Sequence, residues 1–302
     1  MVHIVVVGST MTDMVAYADV IPNAGETLVG NSFVMGFGGK GANQAVMAKR
    51  MGAQVSMVNS VGTDLFGDST LKNFQDQGIS TEFVSRAPGS SGIAPIWVDK
   101  NGNNRIIIIP GANNLMTPQQ AQVAVESLKN IDILIGQLEI PQEVTAAAFE
   151  IGKKKGITTI LNPAPYVKLS PELLQHTDWL IPNESEFTQI HPQNKNPNEE
   201  SIKELSQLIG TKLIVTLGEA GAGYIDPTGQ YKQIAAPKVS AIDTTGAGDA
   251  FVGAFAYGLA VGFNEEKAIK LACICASDSV TRKGTQSSYP SEVQTKAILE
   301  SL

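Results

Sequence analysis

The stretch Asp243-Thr244-Thr245-Gly246-Ala247-Gly248-Asp249 is followed at once by the apolar run Ala250–Leu259, which has the periodicity of a buried helix. The two glycines therefore lie where a helix begins. Unpaired N–H groups and the positive end of the helix dipole meet at such a point, so the turn is suited to binding an anion. Asp249 places a carboxylate in the first helical turn, where it can accept a hydroxyl proton beside a bound phosphate. The alternative is an Asp-rich helix cap with a glycine turn.

The composition is that of a globular protein. The chain has 302 residues, 43% of them hydrophobic and 17% charged, which predicts two domains or one large α/β domain with an insertion. The net charge of −7 argues against a nucleic-acid partner and against an anionic membrane. No signal peptide or membrane span is predicted. Because the two cysteines cannot form a disulfide framework, we expect a reducing compartment, which is the cytoplasm or, in a eukaryote, the nucleus.

Continuous apolar runs alternate with helical patterns along most of the chain. Such runs are typical of strands buried on both faces of a parallel sheet. The predicted strands are His3–Val7, Gln54–Asn59, Ile131–Gly136, Thr158–Asn162, Trp179–Pro182 and Lys212–Leu217. The predicted helices are Gly41–Met51, Phe66–Gln77, Pro118–Lys129, Val144–Lys155, Ser185–Ile190, Glu199–Ile209, Gly246–Val261, Glu265–Val280 and Glu292–Ser301. The alternation predicts an α/β fold over residues 1–302, with a doubly wound, mostly parallel sheet flanked by helices.

Two segments, Met11–Gly36 and Ser91–Pro110, do not fit the alternation. They read as short strands without an intervening helix, and Asn101-Gly102 is a hairpin signal. We expect them to form one small antiparallel sheet, inserted as a lid over the site. The apolar residues of Ile93–Val98 and Ile106–Ile109 leave a face or edge that needs cover, and a symmetric homodimer with lid against lid is the simplest cover.

Polar side chains follow several predicted parallel strands at the carboxyl edge, where open α/β sheets bind ligands. Asp13 follows the first strand, Glu139 the third, and Asn183 and Glu186 the fifth. Each alone reads as a helix cap or a solvated acid, but the topology gathers them in one crevice. An amide and a carboxylate spaced as Asn183 and Glu186 suit water-mediated Mg²⁺ near phosphates. Thr216-Leu217-Gly218 ends another strand and can meet a nucleotide.

The segment Gly36–Asn43 formally matches the pattern G-x-G-x-x-G. A dinucleotide fingerprint belongs in the first strand-to-helix turn, with an acidic residue at the end of the next strand, and that strand ends in Asn59-Ser60. We therefore interpret the glycines as a close backbone approach, with Lys40 and Asn43 as polar arms for a polyhydroxylated ligand. A dinucleotide-dependent oxidoreductase and a catalytically silent sugar-binding regulator are the alternatives from other classes.

Gly38–Asn43 and Asp243–Asp249 together resemble the two signatures of the PfkB carbohydrate kinases. Four further segments narrow the resemblance to the ribokinase group of that family: Asn162–Pro165, Pro182–Glu186, Val215–Gly218 and Gly284–Pro290. The resemblance implies ATP-dependent phosphorylation of the 5-hydroxyl of D-ribose to D-ribose 5-phosphate. Fructokinases and deoxyribokinases are the nearest alternatives. It also implies Asp249 as the catalytic base and an anion hole made by Gly246, Ala247 and Gly248.

The resemblance further assigns three groups of binding residues. The sugar group is Met11, Asp13, Gly39, Lys40, Asn43, Glu139 and Asp249. The nucleotide group is Asn183, Thr216, Gly218, Glu219, Gly221, Gly248 and Cys273, with Glu186 organising the Mg²⁺ that accompanies ATP. A K⁺ site beside the anion hole is implied for Asp243, Thr245, Ser279, Arg282, Gly284 and Ser288, several of them through their backbone carbonyls. Met11 stands where bacterial ribokinases often have an asparagine that contacts the sugar, and Cys273 stands where a histidine or asparagine commonly flanks the adenine.

Overall fold

The computed structural model describes residues 1–302 and contains two sheets. The strands in chain order are β1 (His3–Val7), β2 (Met11–Tyr17), β3 (Ser32–Gly38), β4 (Gln54–Val61), β5 (Ser80–Arg86), β6 (Ile93–Val98), β7 (Asn104–Ile106), β8 (Ile133–Gly136), β9 (Thr158–Leu161), β10 (Trp179–Leu180), β11 (Lys212–Thr216), β12 (Ala222–Ile225) and β13 (Tyr231–Ile234). The helices are α1 (Lys40–Arg50), α2 (Leu65–Asp76), α3 (Pro118–Ser127), α4 (Gln142–Lys154), α5 (Pro171–Leu174), α6 (Glu184–Ile190), α7 (Glu199–Ile209), α8 (Ala247–Ala260), α9 (Glu265–Ser279) and α10 (Glu292–Glu300).

The large sheet has nine strands in the order β13-β12-β11-β10-β9-β8-β1-β4-β5. Its pairings from β11 to β5 are parallel, and β12 and β13 add an antiparallel edge. All five residues of β1 are buried, since helices cover both faces of the sheet. Ile4 and Val6 pack in the core beneath α1, α8 and α9, whereas Val5 and Val7 pack in the core beneath α3 and α4. The predicted doubly wound, mostly parallel sheet is confirmed.

The small sheet has the order β3-β2-β6-β7 and forms the predicted lid. β2 with β3 and β6 with β7 are antiparallel, and the turn between β6 and β7 contains the predicted Asn101-Gly102. β2 and β6 are parallel, because the chain passes through the large sheet between them, so the sheet is mixed rather than purely antiparallel. The outer strand is shorter than predicted, and Ile109 pairs with Ile93 only through an isolated bridge.

No helix in the structure combines the length and the apolar character needed to cross a membrane.

Candidate active site

The glycine turn before α8 is shaped as an anion cradle. Gly246 has a φ of +77°, and a Cβ there would lie 2.5 Å from Cγ2 of Thr285, so both the backbone and the packing require glycine. The hydroxyl of Tyr289 donates to the carbonyl oxygen of Gly246 at 3.0 Å and holds the turn. A Cβ at Gly248 would meet nothing within 4 Å, so space is open above the first turn of α8. The N–H of Ala247 donates to the carbonyl oxygen of Thr244 at 3.3 Å, whereas the N–H groups of Gly248 and Asp249 have no partner and can meet an anion.

Asp249 is buried, with 6% of its surface exposed, yet its carboxylate is fully supported. Nδ2 of Asn43 donates to its Oδ2 at 2.9 Å, and Nε2 of Gln44 donates to its Oδ1 at 2.9 Å. Neutral amide donors orient a carboxylate without offering it a proton. Asp249 lines a cavity of about 160 Å³ together with the turn glycines Gly246 and Gly248. The Asp249 carboxylate and the glycine turn therefore open into the same space.

The other wall of this cavity carries the N-terminus of α1 and the cap of α6. Lys40, Asn183, Glu186 and Thr216 line it, so the structure brings these predicted residues together with Asp249. Asn183 and Glu186 form a capping box, in which Oε2 of Glu186 accepts from the N–H of Asn183 at 2.9 Å. This bond leaves the second carboxylate oxygen of Glu186 without a cap partner.

Glu139 is fixed against the start of α1. Its Oε2 accepts from Oγ of Ser9 at 2.6 Å and from the backbone N–H of Lys40 at 2.9 Å. Ser9 in turn accepts from the N–H of Gly41 at 3.3 Å. Glu139 thereby connects the ends of β1 and β8 with the first residue of α1.

The glycines after β3 allow the chain to pass close to β2. A Cβ on Gly38 would lie 2.3 Å from Oδ2 of Asp13, and one on Gly39, whose φ is +86°, would lie 2.7 Å from the N atom of Met11. The G-x-G-x-x-G match therefore reflects a close approach of the chain between β3 and α1 to β2, and Gly41 likewise lies against Gly8 and Ser9 after β1. Met11 is buried, with 3% of its surface exposed, at the first position of β2.

Acidic charge is concentrated around one lysine. Burial, together with the charges of Glu139 and Asp249, raises the pKa of Asp13 to about 7. Burial also raises the pKa of Glu139, against the opposing effect of Lys40 and of the hydrogen bond from Ser9. Burial acts to lower the pKa of Lys40, but the carboxylates, led by Asp249, outweigh it and raise that pKa. The site carries more negative than positive groups, which suits the recognition of hydroxyl donors.

The predicted nucleotide residues lie partly at the cavity and partly elsewhere. Gly218 and Glu219 form a short 3-10 turn after β11, and a Cβ on Gly221 would lie 1.9 Å from the carbonyl oxygen of Ile234, so glycine is needed there to pack against β13. Cys273 is 3% exposed in the apolar core, with its Sγ 3.9 Å from the same carbonyl oxygen. α9 turns this thiol toward the sheet, and the contact of Cys273 with a nucleotide stays a prediction.

The predicted cation residues gather around the loop after α9. Oδ2 of Asp243 accepts from the N–H of Gly284 at 2.9 Å, and Oδ1 accepts from Oγ1 of Thr245 at 2.7 Å. These bonds outweigh burial and lower the pKa of Asp243. Nε of Arg282 donates to the carbonyl oxygen of Ser288 at 2.9 Å, so the guanidinium supports the loop and cannot itself be a cation ligand.

The hydroxyl groups of the remaining cation candidates bond locally. Oγ of Ser279 donates to the carbonyl of Ala276 at 2.8 Å, and Oγ of Ser288 donates to that of Thr285 at 2.9 Å. No cluster of three or more His, Cys, Asp or Glu side chains that could hold a metal ion is present. Oxygen donors from one carboxylate and the backbone are thus what this loop offers to a cation.

Several residues that complete the site were not predicted. Ser9 donates a hydrogen bond to Glu139, and Gln44 donates one to Asp249. Gln286 donates to Oδ1 of Asn43 at 3.1 Å. The only sequence signal for Gln44 was its position beside Asn43, one residue further along α1. Asn43 itself, predicted as a sugar ligand, has both amide atoms engaged by Asp249 and Gln286.

Comparisons with known proteins agree with this geometry. The sequence profile described as pfkB family carbohydrate kinase matches residues 1–292. A deoxyribokinase of Salmonella typhi is 41% identical, and the alignment covers 95% of this chain and 95% of the relative. A ribokinase of Lactococcus lactis is 39% identical over 100% of this chain and 98% of its own. The structure of an Arabidopsis thaliana ribokinase complexed with ribose and ATP superposes with a TM-score of 0.90 at 28% identity, covering 99% of each chain.

Proposed function

We propose that this chain, which belongs to the pfkB family of carbohydrate kinases, transfers the γ-phosphoryl group of ATP to the 5-hydroxyl of D-ribose, giving D-ribose 5-phosphate and ADP. The observation that carries the proposal is the shared cavity of the Asp249 carboxylate and the Gly246–Gly248 cradle. An alcohol acceptor needs a proton acceptor, and a transferred phosphoryl group needs a cradle for negative charge. The solved Arabidopsis thaliana ribokinase complexed with ribose and ATP supports the choice of both substrates.

The chain's own groups supply the sugar ligands, the base and the anion site of an in-line transfer. Asp13, Lys40 and Glu139, with the backbone at Gly39, hold the sugar hydroxyls. Asp249 takes the proton of the 5-hydroxyl while the 5-oxygen of the sugar forms a bond to the γ-phosphorus. The bond from that phosphorus to the bridging oxygen breaks, and ADP leaves with the electron pair. The N–H groups of the cradle stabilise the charge on the transferred group, and one such donor contributes about 3–4 kcal/mol in other enzymes.

ATP as donor implies Mg²⁺, and the residues at the cavity fit this ion. Mg²⁺ keeps several waters and needs only one or two carboxylates beside the phosphates, so a dedicated cluster of protein ligands is not required. Glu186 has one carboxylate oxygen outside its capping box, and Asn183 is its neighbour. When bound, the ion neutralises phosphate charge. The nucleotide lies along Asn183, Thr216, Gly218, Glu219 and Gly221.

A second substrate, 2-deoxy-D-ribose, is favoured by Met11. This residue places a buried thioether where bacterial ribokinases often have a sugar-contacting asparagine, and a thioether donates no hydrogen bond to a hydroxyl. A pocket without that donor loses nothing when the sugar lacks one hydroxyl. The deoxyribokinase that is 41% identical to this chain agrees with this candidate.

A sugar panel tests both substrates. ADP release is measured with D-ribose, 2-deoxy-D-ribose and D-fructose for the wild type and for Met11→Asn. We expect activity on the pentoses, and in Met11→Asn a shift of the kcat/KM ratio toward ribose of about tenfold, the effect of one hydrogen bond. Phosphorylation of fructose but of neither pentose contradicts the proposed substrate class. An unchanged ratio in Met11→Asn removes Met11 from sugar selection.

We also propose that K⁺ activates the enzyme at the Asp243 loop. Gly284 and Thr245 keep the Asp243 carboxylate ionised, and Tyr289 links the same loop to Gly246. A cation bound there fixes the cradle. We expect turnover in Tris buffer with Mg²⁺ to rise about 5–100-fold when K⁺ is added, the usual range for coupling between two sites. Choline chloride controls for ionic strength. Equal rates with K⁺ and with choline contradict this proposal.

The lid is proposed to join two copies of the chain in a homodimer. Its two edge strands expose Phe33 and Met35 on β3 and Ile106 on β7, and the segment after β7 exposes Ile107 and Ile109. A second copy of the chain is the simplest cover for these apolar side chains. We expect Ile107→Asp or Ile109→Asp to give monomers with weakened ribose affinity. Val293→Asp is the matched control, because Val293 is apolar and 78% exposed but lies on α10, outside the lid. Light scattering that finds a wild-type monomer at assay concentration defeats the idea.

A further inference from the structure

A chain of buried side-chain amides runs from the sheet to Asp249. Nε2 of Gln137, just past β8, donates to Oε1 of Gln44 at 2.6 Å. Nε2 of Gln44 then donates to Oδ1 of Asp249 at 2.9 Å and to Oδ1 of Asn162, just past β9, at 3.2 Å. Gln44 and Gln137 have no measurable exposed surface. Gln44 is therefore held at three points, and only one of them is the carboxylate.

The direction of this amide chain is fixed by the backbone. Nδ2 of Asn162 donates to the carbonyl oxygen of Ile181 at 2.9 Å, so Oδ1 of Asn162 must be the atom that accepts. Asn162 and the carboxylate of Asp249 both accept, so Gln44 must turn its NH₂ group toward them and its oxygen toward Gln137. Gln137 then donates to Gln44, and its own Oε1 has no partner. A reversed amide would place its oxygen against the carboxylate, so the orientation follows from the network.

We propose that Gln44 is a positioning residue, which holds the carboxylate of Asp249 with the correct lone pairs toward the acceptor hydroxyl. The inference rests on the proposed function, in which Asp249 accepts the hydroxyl proton. Asn43 holds the other carboxylate oxygen, so neither oxygen can swing away from the cavity. Because both donors are neutral amides, they fix geometry while leaving Asp249 free to take a proton. Because the carboxylate is already oriented, it need not reorient to reach the reactive geometry when the substrate binds.

Two substitutions separate positioning from simple packing. Gln44→Met keeps the length and volume but removes the donor, and we expect kcat to fall on the order of 10²-fold with little change in the KM for sugar. Gln44→Glu keeps the shape and the acceptor toward Gln137. The introduced glutamate repels Asp249 when it is ionised and donates a hydrogen bond to Asp249 when it is protonated. The kcat of this variant relative to wild type should therefore rise as the pH falls from 8 to 6. The same ratio for Gln44→Met should be independent of pH.

The experiment uses the full-length enzyme and whichever pentose the wild type phosphorylates best. Thermal unfolding and calorimetric binding of sugar and ATP accompany the kinetics, and Gln75→Met, on the exposed side of α2, is the control with wild-type kcat. If Gln44→Met does not fold, the pH dependence of Gln44→Glu carries the test. A folded Gln44→Met with wild-type kcat, or a Gln44→Glu ratio that is flat with pH, overturns the assignment. An inactive wild type instead overturns the proposed function, so the two failures are distinguishable.

Discussion

Replacing Asp249 with asparagine is expected to lower kcat by about 10²–10⁴-fold while the affinities for sugar and ATP stay near those of the wild type. Asparagine keeps the shape of the side chain but cannot accept the hydroxyl proton. The new amide also turns its NH₂ group toward Asn43 or Gln44, whose side-chain amides donate to the carboxylate oxygens in the wild type. One buried hydrogen bond is then lost, so we expect a decrease in the free energy of unfolding of about 1–3 kcal/mol.

The measurement combines saturating kinetics with calorimetric titration of each substrate, at a temperature below the melting transition of the variant. Asp76→Asn, an exposed substitution on α2, is the control for a generic loss of charge. Near wild-type turnover in Asp249→Asn removes Asp249 from the role of base. A large loss of sugar binding would instead mean that Asp249 acts mainly as a ligand for the substrate.

The large sheet could be predicted from the sequence because its central strands are continuous apolar runs. β1 lies between β4 and β8 with both faces covered, so its five residues carry the whole signal. β5 was not predicted, because Ser80–Arg86 is a half-buried edge strand whose polar side chains interrupt the apolar run. β12 and β13 were missed for a related reason, because they form an antiparallel edge outside the strand-helix alternation.

The candidate site residues could be predicted from the sequence, but the residues that hydrogen-bond to them could not. The glycine turns and the acids after the strands follow from local backbone rules, and the structure gathers Lys40, Glu186 and Asp249 at one cavity. Ser9 and Gln44 were missed because their roles depend on partners that are far away in the chain. Ser9 bonds a carboxylate 130 positions later, and Gln44 one 205 positions later. Only the crossing of β1, β8, α1 and α8 brings these pairs together.

Asp13→Asn is expected to weaken sugar binding and to stabilise the protein at the same time. A carboxylate that accepts from sugar hydroxyls makes charge-assisted hydrogen bonds, and their loss should raise the Kd for the sugar about 10–100-fold. The ionised Asp13 also lowers the free energy of unfolding of the ligand-free protein, because burial and the charges of Glu139 and Asp249 raise its pKa to about 7. The asparagine side chain has the same shape and no charge, so it avoids that cost.

The sign of the pH dependence follows from linkage. The folded-state pKa of Asp13 is about 7 and the reference value is 3.8, so between these values the folded protein holds a proton that the unfolded chain has released. The stability that the neutral side chain contributes is complete below the reference pKa and is lost as the pH rises to about 7. Asp13→Asn should therefore melt close to the wild type near pH 4 and above it at pH 8, by on the order of 5 °C.

Thermal unfolding of both proteins without ligands, from pH 4 to pH 8, measures this difference, and sugar titration at pH 8 measures the affinity. Asp19→Asn is the matched control, because Asp19 is an exposed carboxylate just after β2 and its loss should shift neither quantity. A melting difference that shrinks as the pH rises contradicts the raised pKa. Unchanged sugar affinity in Asp13→Asn contradicts its place among the sugar ligands. If both expectations hold, the site gives up stability so that a carboxylate is held ready for the substrate hydroxyls.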